Sequence, residues 1–294
     1  MRILVTGRDG QVARSLAECA GETTHDLVFA ARPGLDLADP DSIRRTIADV
    51  RPGLILSCAA YTAVDQAEDE PDVAMAINGA APGIIAEAAG ELGAPVIHLS
   101  TDYVFDGSGT RPWREDDPVA PLGVYGRTKL AGERALAASD ARWAVVRTAW
   151  VYSPFGHNFV KAMLRLAGSR DELGVVSDQY GNPTSALDIA RALLAMADRS
   201  DDEAIWNRVY HFAGTGDASW ADFAEAVFAI GAEAGGPSAR VNKIGTADFP
   251  TKARRPANSR LDCDAFADRF DYRAPQWRAA LEPVVRRLIA ENED

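Results

Sequence analysis

Short apolar runs alternating with longer amphipathic stretches dominate the first half of the chain. Residues 2–6 (RILVT), 27–31, 54–58 and 95–100 (PVIHLS) are short and mostly apolar, the pattern of strands buried on both faces of a parallel sheet. Helical patterns lie between them: one through Leu16 and Ala20, one over 42–50 with Asp41 as its N-cap, and one over 63–91 broken at Pro71. This alternation predicts right-handed crossovers and an α/β doubly wound parallel sheet, with ligands outside the C-terminal strand ends. After a further strand at 143–147 the pattern loosens. A loop enters an amphipathic helix over 156–167, a strand is expected at 175–180 and a turn at Asn182-Pro183-Thr184. A helix over 185–198 and a strand at 209–213 follow, then a helix capped by Ser219; beyond Ala239 the pattern is irregular. The expected organisation is a ligand-binding sheet domain at 1–152, rejoined by segments near 183–214. Residues 153–182 and 215–294 form mainly a smaller C-terminal lobe.

Three of the expected strand ends carry small or polar residues suited to a dinucleotide. Gly7-Arg8-Asp9-Gly10-Gln11-Val12-Ala13 follows the first strand and opens a helix. Gly7 permits a tight turn, Gly10 lets backbone approach a pyrophosphate, and Ala13 allows close packing of helix on strand. Gln11 and Val12, in the same motif, are expected to bind the cofactor. The second strand ends in Ala31-Arg32, where an NAD-selective site usually has an acid; Arg32 suits a 2′-phosphate, so NADPH is expected ahead of NADH, and a solvated turn residue is the alternative. Asp36 and Leu37 are placed to flank an adenine. Ala59-Ala60-Tyr61-Thr62, after the third strand, lets backbone lie close to a ribose or phosphate. The acids that follow (Asp65, Glu68, Asp69, Glu70) suit helix dipoles.

Chemistry enters with Tyr125 and Lys129. At i,i+4 on a helix they share one face, and an ammonium beside a phenol lowers the cost of phenolate. Thr101, at the end of the fourth strand, can hold a substrate oxygen next to that phenol, and Asp102 and Tyr103 are expected to line the same pocket, with simple packing as the alternative for Tyr103. Trp150, just past a strand end, reads as core by position alone. Lys252, Arg254 and Arg255 form a cationic cluster able to meet a nucleotide diphosphate or to lie in a surface loop.

Composition narrows the partners. The 294 residues are 47% hydrophobic and 25% charged, with a formal net charge of −12, which argues against nucleic acid or an anionic membrane as the main partner. No apolar run is expected to span a membrane, and Met1 leading directly into RILVTG leaves no signal peptide. Cys19, Cys58 and Cys263 are scattered and read as reduced thiols of a cytoplasmic protein. No metal is expected, since His25, His98, His157 and His211 form no close-spaced pair and read as structural or surface residues.

Taken together, these segments resemble the extended short-chain dehydrogenase/reductase family, and within it the branch that reduces nucleotide-linked 4-keto sugars. The resemblance rests on TGRDGQVA at 6–13, CAAYTAVDQAE at 58–68, STDYVFDG at 100–107, VYGRTKLAGE at 124–133, RTAWVY at 147–152, GHNFVKAMLRLA at 156–167, DQYGNPTSA at 178–186, YHFAG at 210–214 and RRPANSRLD at 254–262. It implies a Rossmann-like fold and hydride transfer from NADPH, or NADH, to the C4 ketone of dTDP-4-dehydro-L-rhamnose, giving dTDP-L-rhamnose. The family's catalytic residues fall on Thr101, Tyr125 and Lys129: Tyr125 as proton donor, Lys129 holding the nicotinamide ribose and lowering the Tyr125 pKa, Thr101 orienting the carbonyl. It also implies that Trp150 packs on the sugar. Some members carry a magnesium site at a dimer interface; Ser15 stands where one of its glutamates would be, so a homodimer of that kind is left open. Asp102-Tyr103 replaces the Asp-Glu pair common in dehydratases and counts against them. A reductase of another dTDP-deoxysugar, or a non-catalytic regulatory subunit that keeps the NADP fold, are the competing readings.

Overall fold

Alternating Ile3, Leu4 and Val5 explain the centre of the molecule: Ile3 and Val5 enter one hydrophobic cluster and Leu4 another, so the first strand is buried on both faces. The computed structural model describes residues 1–291. In chain order, β1 (Arg2–Thr6), α1 (Gln11–Glu18), β2 (Asp26–Ala30), α2 (Pro40–Val50) and β3 (Leu54–Ser57) lead to the single turns α3 (Val64–Ala67) and α4 (Pro71–Ala74). Then come α5 (Ala81–Glu91), β4 (Val96–Thr101), α6 (Val124–Ala137) and β5 (Trp143–Thr148). The second half adds β6 (Val151–Tyr152), α7 (Phe159–Ala167), β7 (Glu172–Val176), β8 (Tyr180–Gly181), β9 (Thr184–Ser185) and α8 (Ala186–Asp198). It closes with β10 (Arg208–His211), β11 (Ala218–Ser219), α9 (Trp220–Glu233), β12 (Arg240–Ile244), α10 (Asp264–Phe270) and α11 (Trp277–Ala290).

The main sheet has the order β10-β5-β4-β3-β1-β2, every neighbouring pair parallel. Chain direction across the sheet reverses between β1 and β3, which opens a crevice at their C-terminal ends. Helices α1 and α8 pack on one face with Leu16 and Ile189; α2, α5 and α6 pack on the other with Ile43, Ile85 and Leu136. Phe266 and Phe270 of α10 join the α1–α8 side. A second core surrounds the parallel pair β7–β12, where Leu173 and Val175 meet Val160 of α7, Phe223 of α9 and Leu281 of α11.

Several local expectations are corrected. Asp39, not Asp41, caps α2: its side chain accepts from the Asp41 N–H, and Pro40 takes the first helical position, where a missing N–H costs nothing. The strand expected at 175–180 ends at Val176; Tyr180-Gly181 pairs instead with Ala218-Ser219 across a turn in which Asp178 binds Thr246. The irregular stretch beyond Ala239 holds β12, α10 and α11. Helical structure from Pro71 to Glu91 is long and apolar enough to cross a membrane, contrary to the sequence expectation. Here it includes a π-helical turn over Met75–Ala80 and buries Ile85, Ala86 and Ala89 against the sheet.

Candidate active site

The C-terminal ends of β1, β3 and β4 converge as the alternation predicts. On the β1–β3 side the surface is backbone and small side chains. Gly7 has φ of +95°, a conformation that strains any L side chain, and a Cβ there would sit 3.3 Å from the Ala59 Cβ. Thr6 ties the two loops by accepting from the Cys58 and Ala59 N–H groups at 3.0 and 3.1 Å. Helix α1 begins under Gly10, which provides no side-chain cap, so the N–H groups of its first turn are open to an anion, as a pyrophosphate requires. The Val12 side chain packs against the sheet cluster, while Gln11 Oε1 accepts from Ser153 Oγ at 2.9 Å and Asn158 Nδ2 at 3.0 Å. Gln11 therefore turns its side chain to the second lobe and leaves its backbone for a ligand. Arg32 is exposed just past β2; Asp36 caps the Ala38 N–H, and Leu37 packs beside α2 and α5. Ala60 is half-buried and Thr62 exposed. Tyr61 is held at both backbone groups by Asn78, a buried residue of the π-helical turn, and its hydroxyl donates to Glu70 at 2.8 Å.

Side chains dominate the β4–α6 side. Thr101 ends β4, buried; its hydroxyl donates to Asp102 Oδ1 at 2.9 Å and accepts from the Tyr103 N–H at 3.2 Å, beside the Tyr125 phenol. Tyr125 lies in the first turn of α6, edge-on to Tyr103 with ring centres 5.6 Å apart. Close docking requires Gly126: a Cβ there would come within 2.2 Å of the Tyr103 carbonyl oxygen. Lys129, one turn on, is buried and donates to the Leu99 carbonyl at 2.7 Å. Burial pulls its pKa down to about 8. The expectation that Lys129 lowers the Tyr125 pKa is not met. Burial, then the nearby Asp102 charge, raises it, while the Lys129 ammonium is directed at Leu99 and His98. Tyr125 thus keeps its proton across the neutral range. Asp102 is itself pushed up to about 6 by burial, and its Oδ2 has no hydrogen-bond partner among the described residues.

Beyond this, Arg255 donates to Asp65 at 2.8 Å, while its buried Nε has no partner among the described residues. An orphaned guanidinium N–H suits an anionic ligand. Arg255 lies on the wall of a cleft of about 270 Å³ lined also by Phe159, Met163, Gln179, Trp220 and Phe249. Trp150, at φ of +47°, stacks on Trp220 with ring centres 3.5 Å apart.

The acids of 65–70 do more than complement helix dipoles. Helices α3 and α4 are single turns with little dipole to offset, and the carboxylates reach distant partners instead: Asp65 to Arg255 and the Ala253 N–H, Asp69 to Lys252, and Glu68 to the Val124 N–H at the start of α6. Lys252 is therefore taken up by an ion pair, Arg255 points into the site, and Arg254 is exposed. Sequence reasoning missed Glu68, Asn78, Trp220 and His98. Only His98 left a signal, a polar side chain inside the apolar run PVIHLS.

Residues 1–290 match the family model described as RmlD substrate binding domain. A dTDP-4-dehydrorhamnose reductase from Sinorhizobium fredii is 47% identical over 296 residues, covering 100% of both chains. Among solved structures, a dTDP-4-dehydrorhamnose reductase from Clostridium acetobutylicum is 34% identical with a TM-score of 0.91, covering 98% of this chain and 99% of its own. One from Bacillus anthracis, solved in complex with NADP, is 32% identical with a TM-score of 0.89, covering 96% of this chain and 98% of its own.

Proposed function

The chain belongs to the dTDP-4-dehydrorhamnose reductase family and is an oxidoreductase, and from that premise we propose that it reduces the C4 ketone of dTDP-4-dehydro-L-rhamnose to dTDP-L-rhamnose with NADPH as reductant and Tyr125 as proton donor. The observation that carries the reading is the Tyr125 phenol, edge-on to Tyr103 in the first turn of α6, set beside the buried Thr101 hydroxyl at the C-terminal rim of the sheet. We assign residues 1–152 and 183–214 to cofactor binding, and 153–182 with 215–294 mainly to the substrate.

When bound, NADPH supplies the hydride. Its pyrophosphate is assigned to Gly7, Gly10, and the backbone of Gln11 and Val12; its 2′-phosphate to Arg32; its adenine end to Asp36 and Leu37; and its ribose to the 59–62 loop and Lys129. Thr101 orients the sugar carbonyl, and Tyr125, kept protonated by its surroundings, gives its proton to the oxygen as charge develops there. Asp102, Tyr103, Trp150 and Arg255 hold the dTDP-sugar, Arg255 through its unpartnered Nε. The test mixes the protein with NADPH and dTDP-4-dehydro-L-rhamnose and follows loss of reduced-nicotinamide absorbance. Consumption with formation of dTDP-L-rhamnose is expected. NADPH binding without consumption overturns the reading.

A further inference from the structure

His98 has no part in the reaction described above, yet it touches the residue on which cofactor placement depends. It stands in β4 opposite Ser57 of β3, and the two side chains meet at 3.0 Å through His98 Nδ1. Its other nitrogen, Nε2, lies 3.1 Å from Lys129 Nζ. His98 is 1% exposed and Lys129 2%, so neither polar end can turn to water. An ammonium has three donors and no acceptor, so the ring nitrogen facing it must offer a lone pair; the remaining ring proton then sits on Nδ1 and is donated to the Ser57 hydroxyl.

We propose that His98 is a positioning residue for Lys129: locked as the Nδ1–H tautomer by Ser57, it takes one Nζ–H on Nε2 while Leu99 takes a second, which leaves the third for the nicotinamide ribose. The inference rests on the assignment of Lys129 to that ribose. Other titratable groups around Lys129 do not compete for this place. Glu133, one turn further along α6, is committed to Arg147 and Ser100, and the Cys58 thiol at the end of β3 is pushed up to about 12 by burial and stays neutral. Burial and the Lys129 charge hold His98 well below the usual histidine range, so its acceptor persists wherever the protein is folded near neutrality.

Two measurements test this on the full chain. Nitrogen-15 NMR of the histidine-labelled protein at neutral pH, with the His98 signals identified by their absence in His98→Gln, is expected to show a protonated Nδ1 and a bare Nε2. A protonated Nε2 overturns the proposal, and this result needs no destabilising variant. NADPH affinity by titration calorimetry is the second readout. His98→Leu is expected to weaken binding about tenfold, as loss of one hydrogen bond to a charged group does. His98→Gln, with an amide oxygen able to take the place of Nε2, is expected to restore affinity to within about threefold. His98→Leu combined with Lys129→Ala should bind no more weakly than Lys129→Ala alone. Should Lys129→Ala leave affinity unchanged, the ribose assignment itself fails. If Lys129→Ala weakens binding and His98→Leu does not, that assignment stands and the His98 proposal falls.

Discussion

The two sides of the sheet's rim are built from different materials. Where β1 and β3 end, the surface is glycine, alanine and backbone N–H, and the contacts that shape it join neighbouring loops, such as Thr6 to Ala59. Where β4 and β5 end, it is made of polar side chains paired with one another: the buried Glu133 with Arg147 and Ser100, and Trp113 with Asn258, with the Asp65–Arg255 pair closing it from the β3 connection. The first side can bind any dinucleotide with a pyrophosphate, since peptide groups recognise phosphate without reading the rest of the molecule. The second is where the proposed reaction needs one oxygen and one proton. Generic affinity and particular chemistry are thus separated in space, and changes on the second side should be felt more strongly.

The largest effect is expected from Tyr125→Phe, which should lower kcat about 10⁴-fold, about 5.5 kcal/mol, with NADPH affinity unchanged. Retention of most of kcat would move the chemistry off this side altogether. Next is Glu133→Gln. It strands the Arg147 guanidinium, whose side chain is only 5% exposed, and should cost about 4 kcal/mol of unfolding free energy in urea. Asp102→Asn probes the charge buried beside the phenol. The Asp102 pKa in the folded chain, about 6, lies above the ordinary 3.8, so ionisation opposes folding. Its stabilising contribution is complete below pH 3.8 and is lost as pH rises through about 6. The stability of wild type relative to Asp102→Asn should therefore fall by about 3 kcal/mol between acid and neutral pH, read from urea unfolding at both ends. A difference independent of pH refutes the buried charge. Asp65→Asn, which loosens Arg255, should raise KM for the dTDP-sugar about tenfold and leave KM for NADPH alone. On the other side, Arg32→Ala should reduce the preference for NADPH over NADH only about fivefold, and an unchanged ratio removes Arg32 from the cofactor site.

The same contrast explains what could be read from the chain. The β1–β3 side follows from local order: a buried strand, two glycines three apart, a helix. The fold of the first half was legible for the same reason. The positions of Thr101, Tyr125 and Lys129 on a strand end and the following helix were also legible, as two short motifs on adjacent elements. The partners that set their properties were not. Nothing at Asp65 announces Arg255, and nothing at Glu68 announces the first N–H of α6, because these pairs exist only once the strands are in register. The expected effect of Lys129 on Tyr125 failed on the same ground. Helical spacing places two side chains on one face, but the direction of an ammonium depends on acceptors supplied by the neighbouring strands. β12 and α10 escaped because each owes its place to a distant segment, β7 for one and the α1–α8 face for the other.

Phe266 and Phe270, late in the chain, complete the hydrophobic layer begun by Ile3 and Val5. A nascent polypeptide leaving the ribosome therefore carries an open sheet face until nearly its whole length has emerged, and with it a half-made site whose Asp65 still waits for Arg255. The site is thus completed in the order of synthesis, so a truncated product would have the proposed nucleotide cradle but no finished place for the proposed sugar.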